Sequence, residues 1–372
     1  MMIDRRMVPK FDWTPLLTIL ALVAVGLVAV YSATYSLDGG RHGLFLRQII
    51  WLAGGLVMMF VMMLFDYRSL ARWGYILYGA AVLMLLAVLV AGRSGLGAQR
   101  WLALGPFSFQ PSEIAKLFMV VALARFFSDD GITDGHTLTE LVKPFLMVVF
   151  PVFLVMKQPD LGTALMFIFI FCAMVAVSGI RVKSLLGLAC TVAIAAPLAW
   201  KVAWGHMKDY QKKRILVFIS PDSDPAGAGY HIIQSKIAIG SGSLTGKGFL
   251  NGTQSQLSFL PERHTDFIFS VVAEEWGFIG SLLLLLIYLF IILWGLETAY
   301  KARDRFGALL AVGTVSMLTF YVVINVGMTL GIMPVVGVPL PLVSYGGTSA
   351  MTTLLALGLL LNIYRRRFSL FY

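Results

Sequence analysis

The sequence has little charge for its length. Only 13% of its 372 residues are charged, about half the share in an ordinary soluble domain, whereas 59% are hydrophobic. The mean hydropathy is +0.84. This balance excludes a soluble globular enzyme, a disordered protein and a nucleic-acid-binding module. The net charge of +10 is spread over short basic segments between apolar runs, which is typical of loops that border a membrane.

Cysteine and histidine are also scarce. The two cysteines, Cys172 and Cys190, both lie inside apolar runs, so neither a disulfide framework nor a cysteine-based metal site is available. The five histidines are scattered and form no HExxH pair. We therefore expect no metal that is held by protein side chains alone.

Long apolar runs are abundant, and they predict an all-α polytopic membrane protein with about ten transmembrane helices, because about 20 apolar residues cross a bilayer as a helix. We expect residues 1–372 to form one membrane domain, with its first span kept as an anchor. The predicted cores are 14–34, 44–65, 73–91, 111–127, 143–157, 161–179, 184–203, 267–294, 307–331 and 344–364.

The distribution of basic residues predicts that both termini lie in the cytoplasm. The exception is a long outer loop, residues 204–265, between the seventh and eighth spans. Long loops cross regardless of charge, so the exception leaves the orientation unchanged, and an anionic ligand would explain it. We expect short interfacial helices in this loop, with 209–218 as the best candidate. Its basic residues are Lys208, Lys212, Lys213, Arg214, Lys236, Lys247 and Arg263.

Two ionisable residues lie in the fourth predicted span, and charged groups inside spans mark functional sites. Glu113 and Lys116 are three residues apart and therefore share a helix face. An ion pair would allow both to be buried. The pattern leaves open whether this pair is only structural or also lines a polar cavity.

Acidic residues also mark the outer starts of two spans. For Asp160, before the sixth span, an N-cap role is slightly the better explanation. The segment 261–266 has four ionisable residues within five positions, more than a cap of the eighth span by Thr265 or Asp266 requires. Glu274 and Glu275 lie about 12–14 Å deeper at helical rise, so at least one must face protein or a cavity.

Two glycine-rich segments have an ordinary and a functional interpretation. The uncharged stretch 331–349, broken by proline and glycine, can enter the membrane where protein covers its backbone, or it can be an apolar outer loop. The stretch 240–248 is similar to a phosphate-binding loop, but Gly248 stands where serine or threonine should hold magnesium.

Four segments in the same order resemble the SEDS family, named for shape, elongation, division and sporulation. The segments are 100–117 (RWLALGPFSFQPSEIAKL), 158–164 (QPDLGTA), 260–277 (LPERHTDFIFSVVAEEWG) and 338–349 (VPLPLVSYGGTS). The ending AEEWG of the third segment resembles the members of this family that act in cell elongation.

This resemblance implies a ten-span peptidoglycan glycosyltransferase of the bacterial cytoplasmic (inner) membrane. It implies lipid II as the substrate, and a class B penicillin-binding protein and the elongation machinery as partners. It further implies that Asp266 is the essential aspartate, and that four other residues are important for function: Arg47, Glu113, Lys116 and Asp160.

The implied chemistry needs one base, because the transfer inverts the anomeric carbon and the lipid pyrophosphate is already a good leaving group. We expect Asp266 to be this catalytic base. A divalent cation is compatible with this chemistry, but nothing in the sequence requires it. Cationic residues should bind the pyrophosphate, and the candidates are Arg47, Arg100, Lys116, Lys236 and Arg263.

Two other classes of function fit parts of the sequence. A lipid II flippase would also need buried charges and broken helices, but it should have polar clusters at both membrane faces. The sequence shows such a cluster only on the outer side. A scaffold without chemistry would leave Glu113 and Lys116 explained by their mutual pairing alone.

Overall fold

Helices make up most of this computed structural model, which describes residues 12–36, 43–95, 98–104, 107–132, 135–187, 227–257 and 259–367, with isolated positions between 195 and 220. The helices are α1 (Thr14–Tyr35), α2 (Gly43–Leu64), α3 (Ser69–Ala91), α4 (Pro111–Asp129), α5 (Val142–Lys157), α6 (Leu161–Ser178), α7 (Ala228–Ser241), α8 (Thr253–Gln256), α9 (Ile268–Tyr300), α10 (Arg305–Thr329) and α11 (Gly347–Arg366).

The helices confirm a polytopic membrane architecture. The first six predicted spans correspond to α1–α6, and the last three correspond to α9–α11. Among the described residues, 7 helices are long and apolar enough to cross a membrane. Helix α5 is too short for that criterion, with 16 residues, and α4 is too highly charged. Most of the predicted span 184–203 and of the interfacial candidate 209–218 lies outside the described residues.

A small sheet between α3 and α4 departs from the purely helical prediction. Strands β1 (Arg93–Gly95), β2 (Ala98–Leu104) and β3 (Phe107–Phe109) form an antiparallel sheet in that order. The central strand carries Arg100 to the turn before α6, where its Nε lies 3.3 Å from the carbonyl oxygen of Gln158. The sheet thus joins two helix ends that are distant in sequence.

Contacts between distant residues give the bundle two polar ends. We call the end that contains Asp266 the Asp266 face and the other end the opposite face. On the opposite face, the Tyr67 hydroxyl donates to Asp304 Oδ2 at 2.6 Å, and Arg305 Nη1 lies 3.4 Å from Asp130 Oδ1. Alternate helix ends therefore meet on the same face, as expected for a multi-pass bundle.

Helix α9 is broken at Gly277, whose φ is 68°. The loop 242–248 closes the break with four backbone hydrogen bonds. The amides of residues 278 and 279 donate to residues 243 and 244, and those of residues 247 and 248 donate to residues 274 and 275, over 2.9–3.1 Å. The amides of Lys247 and Gly248 are therefore engaged within the fold. The glycines that make this loop similar to a phosphate-binding loop instead allow it to pack against the broken helix.

Gly277→Ala should destabilise the protein by at least about 2 kcal/mol, because a side chain is strained at this φ and overlaps the backbone of Gly246 and Leu244. Gly240→Ala is the matched control, since a Cβ there meets no atom within 4 Å. Thermal unfolding in detergent measures both variants. Equal melting temperatures would contradict a close fit of the loop to the broken helix.

Candidate active site

The proline- and glycine-rich segment after α10 is covered by protein, which is one of the two alternatives that its sequence left open. Val336, Leu340 and Val343 are all buried. The hydroxyl of Tyr288, from α9, donates to the carbonyl oxygen of Pro341 at 2.5 Å. The segment therefore forms an inner wall of the Asp266 face.

The turn before α9 is fixed by hydrogen bonds to three consecutive carbonyl oxygens, those of residues 264–266. The first accepts from the backbone amide of Tyr345 at 2.7 Å. The second accepts from the hydroxyl of Ser344 at 2.6 Å, and the third from the amide nitrogen of Asn325 at 2.9 Å. The backbone that carries Asp266 is thus held by α10 and by the segment that follows it.

The Asp266 side chain is half-buried and faces this wall. A Cβ on Gly337, which has a φ of +71°, would lie 3.3 Å from Asp266 Oδ2, so glycine leaves space for the carboxylate. The N-cap residue of α9 is Phe267, which has no side-chain oxygen with which to cap. The Thr265 hydroxyl donates instead to Glu262 Oε2 at 3.0 Å. The N-cap position is therefore Phe267, and the Thr265 hydroxyl is engaged with Glu262.

Helix α2 contributes a buried amide to the same wall. Gln48 is fully buried; its Nε2 donates to the carbonyl oxygen of Ser344, and its Oε1 accepts from the amide of Gly346, both at 3.2 Å. Its neighbour Arg47 is exposed at the start of α2. Arg47 was a candidate from the sequence and Gln48 was not, although a lone amide in an apolar run is a detectable signal of burial.

Glu113 and Lys116 form the buried ion pair predicted from their spacing, with 2.7 Å between Lys116 Nζ and Glu113 Oε1. A residue missed by the sequence analysis, Tyr321 of α10, completes the cluster. Its hydroxyl donates to Glu113 Oε2 at 2.7 Å and accepts from Lys116. Lys116 is 1% exposed, so the three groups satisfy one another inside the bundle.

Asp160 is the N-cap of α6, which confirms the favoured structural interpretation of this residue. Its carboxylate accepts from the backbone amide of Thr163 at 3.2 Å and from the Thr163 hydroxyl at 3.0 Å. Arg100 Nε lies 3.8 Å from Asp160 Oδ2. The pair ties the small sheet to the start of α6.

The remaining cationic candidates differ in accessibility. Arg263 is buried and donates to the carbonyl oxygen of Ala33 at 2.9 Å and to the hydroxyl of Ser36 at 2.6 Å; burial lowers the pKa of its guanidinium. It therefore anchors the end of α1. Lys236 is exposed on α7 and contacts Gly331. Neither Lys236 nor Arg47 forms an ion pair with another described residue.

The two deeper carboxylates, Glu274 and Glu275, both face protein, whereas the sequence required this of at least one. Glu274 Oε1 accepts from the backbone amide of Gln254 at 2.9 Å and pairs with Lys247 Nζ at 2.8 Å. Glu275 accepts from the hydroxyl of Ser32. These carboxylates hold the loop between α7 and α9 in place and connect α9 to α1.

Comparisons with known proteins agree over nearly the whole chain. The family model named for FtsW, RodA and SpoVE and described as a cell cycle protein matches residues 12–368. The chain is 44% identical to the peptidoglycan glycosyltransferase MrdB of Escherichia coli K12 over 364 residues, which are 96% of this chain and 94% of that protein. It is 33% identical to the peptidoglycan glycosyltransferase RodA of Treponema pallidum, covering 97% of this chain and 99% of that protein.

Solved structures show the same architecture. A chain from a peptidoglycan synthase complex that coordinates polymerization and crosslinking aligns with a TM-score of 0.82 and 36% identity, covering 96% of this chain and 99% of that one. The rod shape determining protein RodA of Thermus thermophilus aligns with a TM-score of 0.70 and 32% identity, covering 97% of this chain and 99% of that one.

Lys116→Met should lower the free energy of unfolding by about 3–5 kcal/mol, because it leaves the Glu113 charge buried without its partner. Adding Glu113→Gln should recover most of this loss, since no charge then remains in the cluster. Thermal unfolding in detergent measures both changes.

The control is Lys301→Ala, which removes an exposed pair with Glu297 and should cost less than about 1 kcal/mol. A Lys116→Met protein as stable as this control would show that the buried pair does not hold the bundle together.

Proposed function

This chain belongs to the FtsW/RodA/SpoVE, or SEDS, family of cell cycle proteins, and from that premise we propose that it polymerises lipid II into glycan strands during cell elongation. It is a multi-pass bacterial membrane protein and a peptidoglycan glycosyltransferase. One observation carries the proposal for the site: the Asp266 carboxylate faces a wall that includes Gly337, on a turn whose carbonyl groups at residues 264–266 all accept hydrogen bonds.

In the proposed reaction, the C4 hydroxyl oxygen of one disaccharide attacks the anomeric carbon of a lipid-linked glycan. The new bond is between these two atoms, and the bond from the anomeric carbon to the pyrophosphate oxygen breaks. Asp266 accepts the hydroxyl proton, and the lipid pyrophosphate leaves with the bonding electron pair. The fixed turn holds the carboxylate ready for the acceptor hydroxyl, which is the positional contribution that such a transfer needs.

The exposed cations Arg47 and Lys236 are the proposed contacts for the pyrophosphate, because they can reach a ligand without breaking an ion pair to another described residue. Arg100, Lys116 and Arg263 act in this proposal by holding elements of the site together. Glu113 and Asp160 have the same role through their partners Lys116 and Arg100.

A divalent cation is not needed for this scheme. The described residues contain no group of three or more histidine, cysteine, aspartate or glutamate side chains that could hold a metal. A cation at Asp266 would therefore draw further ligands from the pyrophosphate oxygens, and its chemical contribution would be to neutralise charge on the leaving group.

We further propose that the Asp266 face is extracytoplasmic and that both termini are cytoplasmic. The distribution of basic residues along the sequence supports this orientation. The proposed partner is a class B penicillin-binding protein, which would crosslink the new strand. The likeness to a chain of a synthase complex that joins polymerization with crosslinking supports a partner of this kind.

A lipid II flippase is less well supported, although one argument against it fails. The opposite face also carries clustered polar groups, since Asp130 contacts both His136 and Arg305 at 3.4 Å. Because both faces carry polar clusters, the distribution of charge does not distinguish a flippase from a glycosyltransferase. The relatives that are glycosyltransferases by name favour polymerisation.

Asp266→Asn should lower the rate of glycan polymerisation by about 10²- to 10⁴-fold, because the base is lost while the shape of the side chain is kept. Gel analysis of labelled lipid II products measures the rate. Glu262→Gln is the matched control: it makes the same change in the same turn, and glutamine can still accept from Thr265. If both variants polymerise at the same rate, Asp266 is not the base.

Lys236→Gln should raise the KM for lipid II about tenfold, equivalent to about 1.4 kcal/mol, because one pyrophosphate contact loses its charge. Steady-state polymerisation at limiting lipid II measures the change. Lys183→Gln provides the control, since Lys183 is exposed in the connection after α6. An unchanged KM in Lys236→Gln would remove this lysine from the substrate site.

A further inference from the structure

We propose that Asn325 of α10 is a positioning residue that sets the location of the Asp266 carboxylate; this inference rests on the proposed role of Asp266 as the base. Asn325 is fully buried, and its amide nitrogen donates to two carbonyl oxygens. One belongs to Asp266 at 2.9 Å, and the other belongs to Val338 at 2.7 Å.

These two bonds act on both sides of the carboxylate. The first fixes the backbone from which the Asp266 side chain extends. The second fixes the residue after Gly337, and Gly337 is the part of the wall that faces Asp266 Oδ2. Because both acceptors are carbonyl oxygens, only the NH₂ group can occupy this position, which defines the orientation of the amide. One side chain therefore sets the carboxylate and its wall relative to each other.

The helix that carries Asn325 is itself held in place. Asn325 lies four residues after Tyr321 on α10, and residues with this spacing share a helix face. Tyr321 is bonded to the Glu113–Lys116 pair of α4. The ion pair thus holds α10 in place one helical turn away from the amide that holds Asp266. The buried pair can therefore affect the position of Asp266 without any contact between Lys116 and the substrate.

A purely structural role is the competing explanation, because loss of the amide leaves two buried carbonyl groups without a donor. The chain contains a matched case at the opposite face. Asn362 of α11 is also fully buried, and its amide nitrogen donates to the carbonyl oxygens of Met62, at 2.5 Å, and Phe65. In both asparagines the amide nitrogen joins two carbonyl oxygens, and Asn362 Oδ1 also accepts from Arg366 Nε at 3.0 Å. Only Asn325 holds the proposed base.

The test compares Asn325→Leu with Asn362→Leu in the purified full-length chain, together with its penicillin-binding partner. Both variants should lower the melting temperature, and Asn362→Leu should lower it at least as much, because it also removes an acceptor of Arg366. Only Asn325→Leu should lower the kcat of lipid II polymerisation, by about 10- to 100-fold, with KM within about twofold of the unchanged protein, because displacement of a catalytic group affects the transition state more than substrate binding.

Equal kcat values in the two variants would overturn the positioning role, and so would a loss confined to KM. If Asn325→Leu does not fold, Asn325→Ala replaces it, because the smaller side chain leaves space for water to bond both carbonyl groups. The same kcat and KM criteria then apply. A drop in kcat for the Asn325 variant alongside normal activity of Asp266→Asn would refute the proposed base, whereas the reverse pattern would refute only the present inference.

Discussion

The structure depends on the need of every buried backbone carbonyl group for a hydrogen-bond donor where water is excluded. The turn before α9 and the segment after α10 are both irregular, so neither can satisfy its carbonyl groups as a helix does. Their carbonyl groups instead accept hydrogen bonds from Asn325 of α10, which bonds both segments, and from Ser344 and the amide of Tyr345, which bond the turn. Gln48 adds α2 to the same network. The result is a fixed surface in a part of the chain that has no regular secondary structure, and Asp266 lies on it.

The same constraint governs the charges. Charged side chains that enter the bundle do so with partners, as in the cluster of Glu113, Lys116 and Tyr321 and in the pair of Glu274 with Lys247. These groups gain stability only together, because one unpaired charge in such surroundings costs several kcal/mol. The exposed cations Arg47 and Lys236 differ, since neither forms an ion pair with another described residue, which is what the proposed contact with a pyrophosphate requires.

Local patterns in the sequence predicted the features that depend on neighbouring residues. Apolar runs gave the helices, a spacing of three gave the Glu113–Lys116 pair, and the position of Asp160 before a span gave its cap. The contacts of Asn325 and Tyr321 could not be predicted, because their partners lie 59 and 208 residues away. A polar residue in an apolar run signals burial, but it does not identify the partner. The break at Gly277 was missed for a related reason: it is stabilised by a loop that only the fold brings close.

A cryo-EM structure of the full-length chain with lipid II bound would test the central claim most directly, namely that substrate reacts at the fixed Asp266 turn. We expect the C4 hydroxyl oxygen of the acceptor sugar to lie about 2.6–3.2 Å from the Asp266 carboxylate, with the pyrophosphate of the donor beside Lys236. A complex in which no sugar hydroxyl approaches Asp266, or in which the pyrophosphate lies at the opposite face near Arg305, would contradict it.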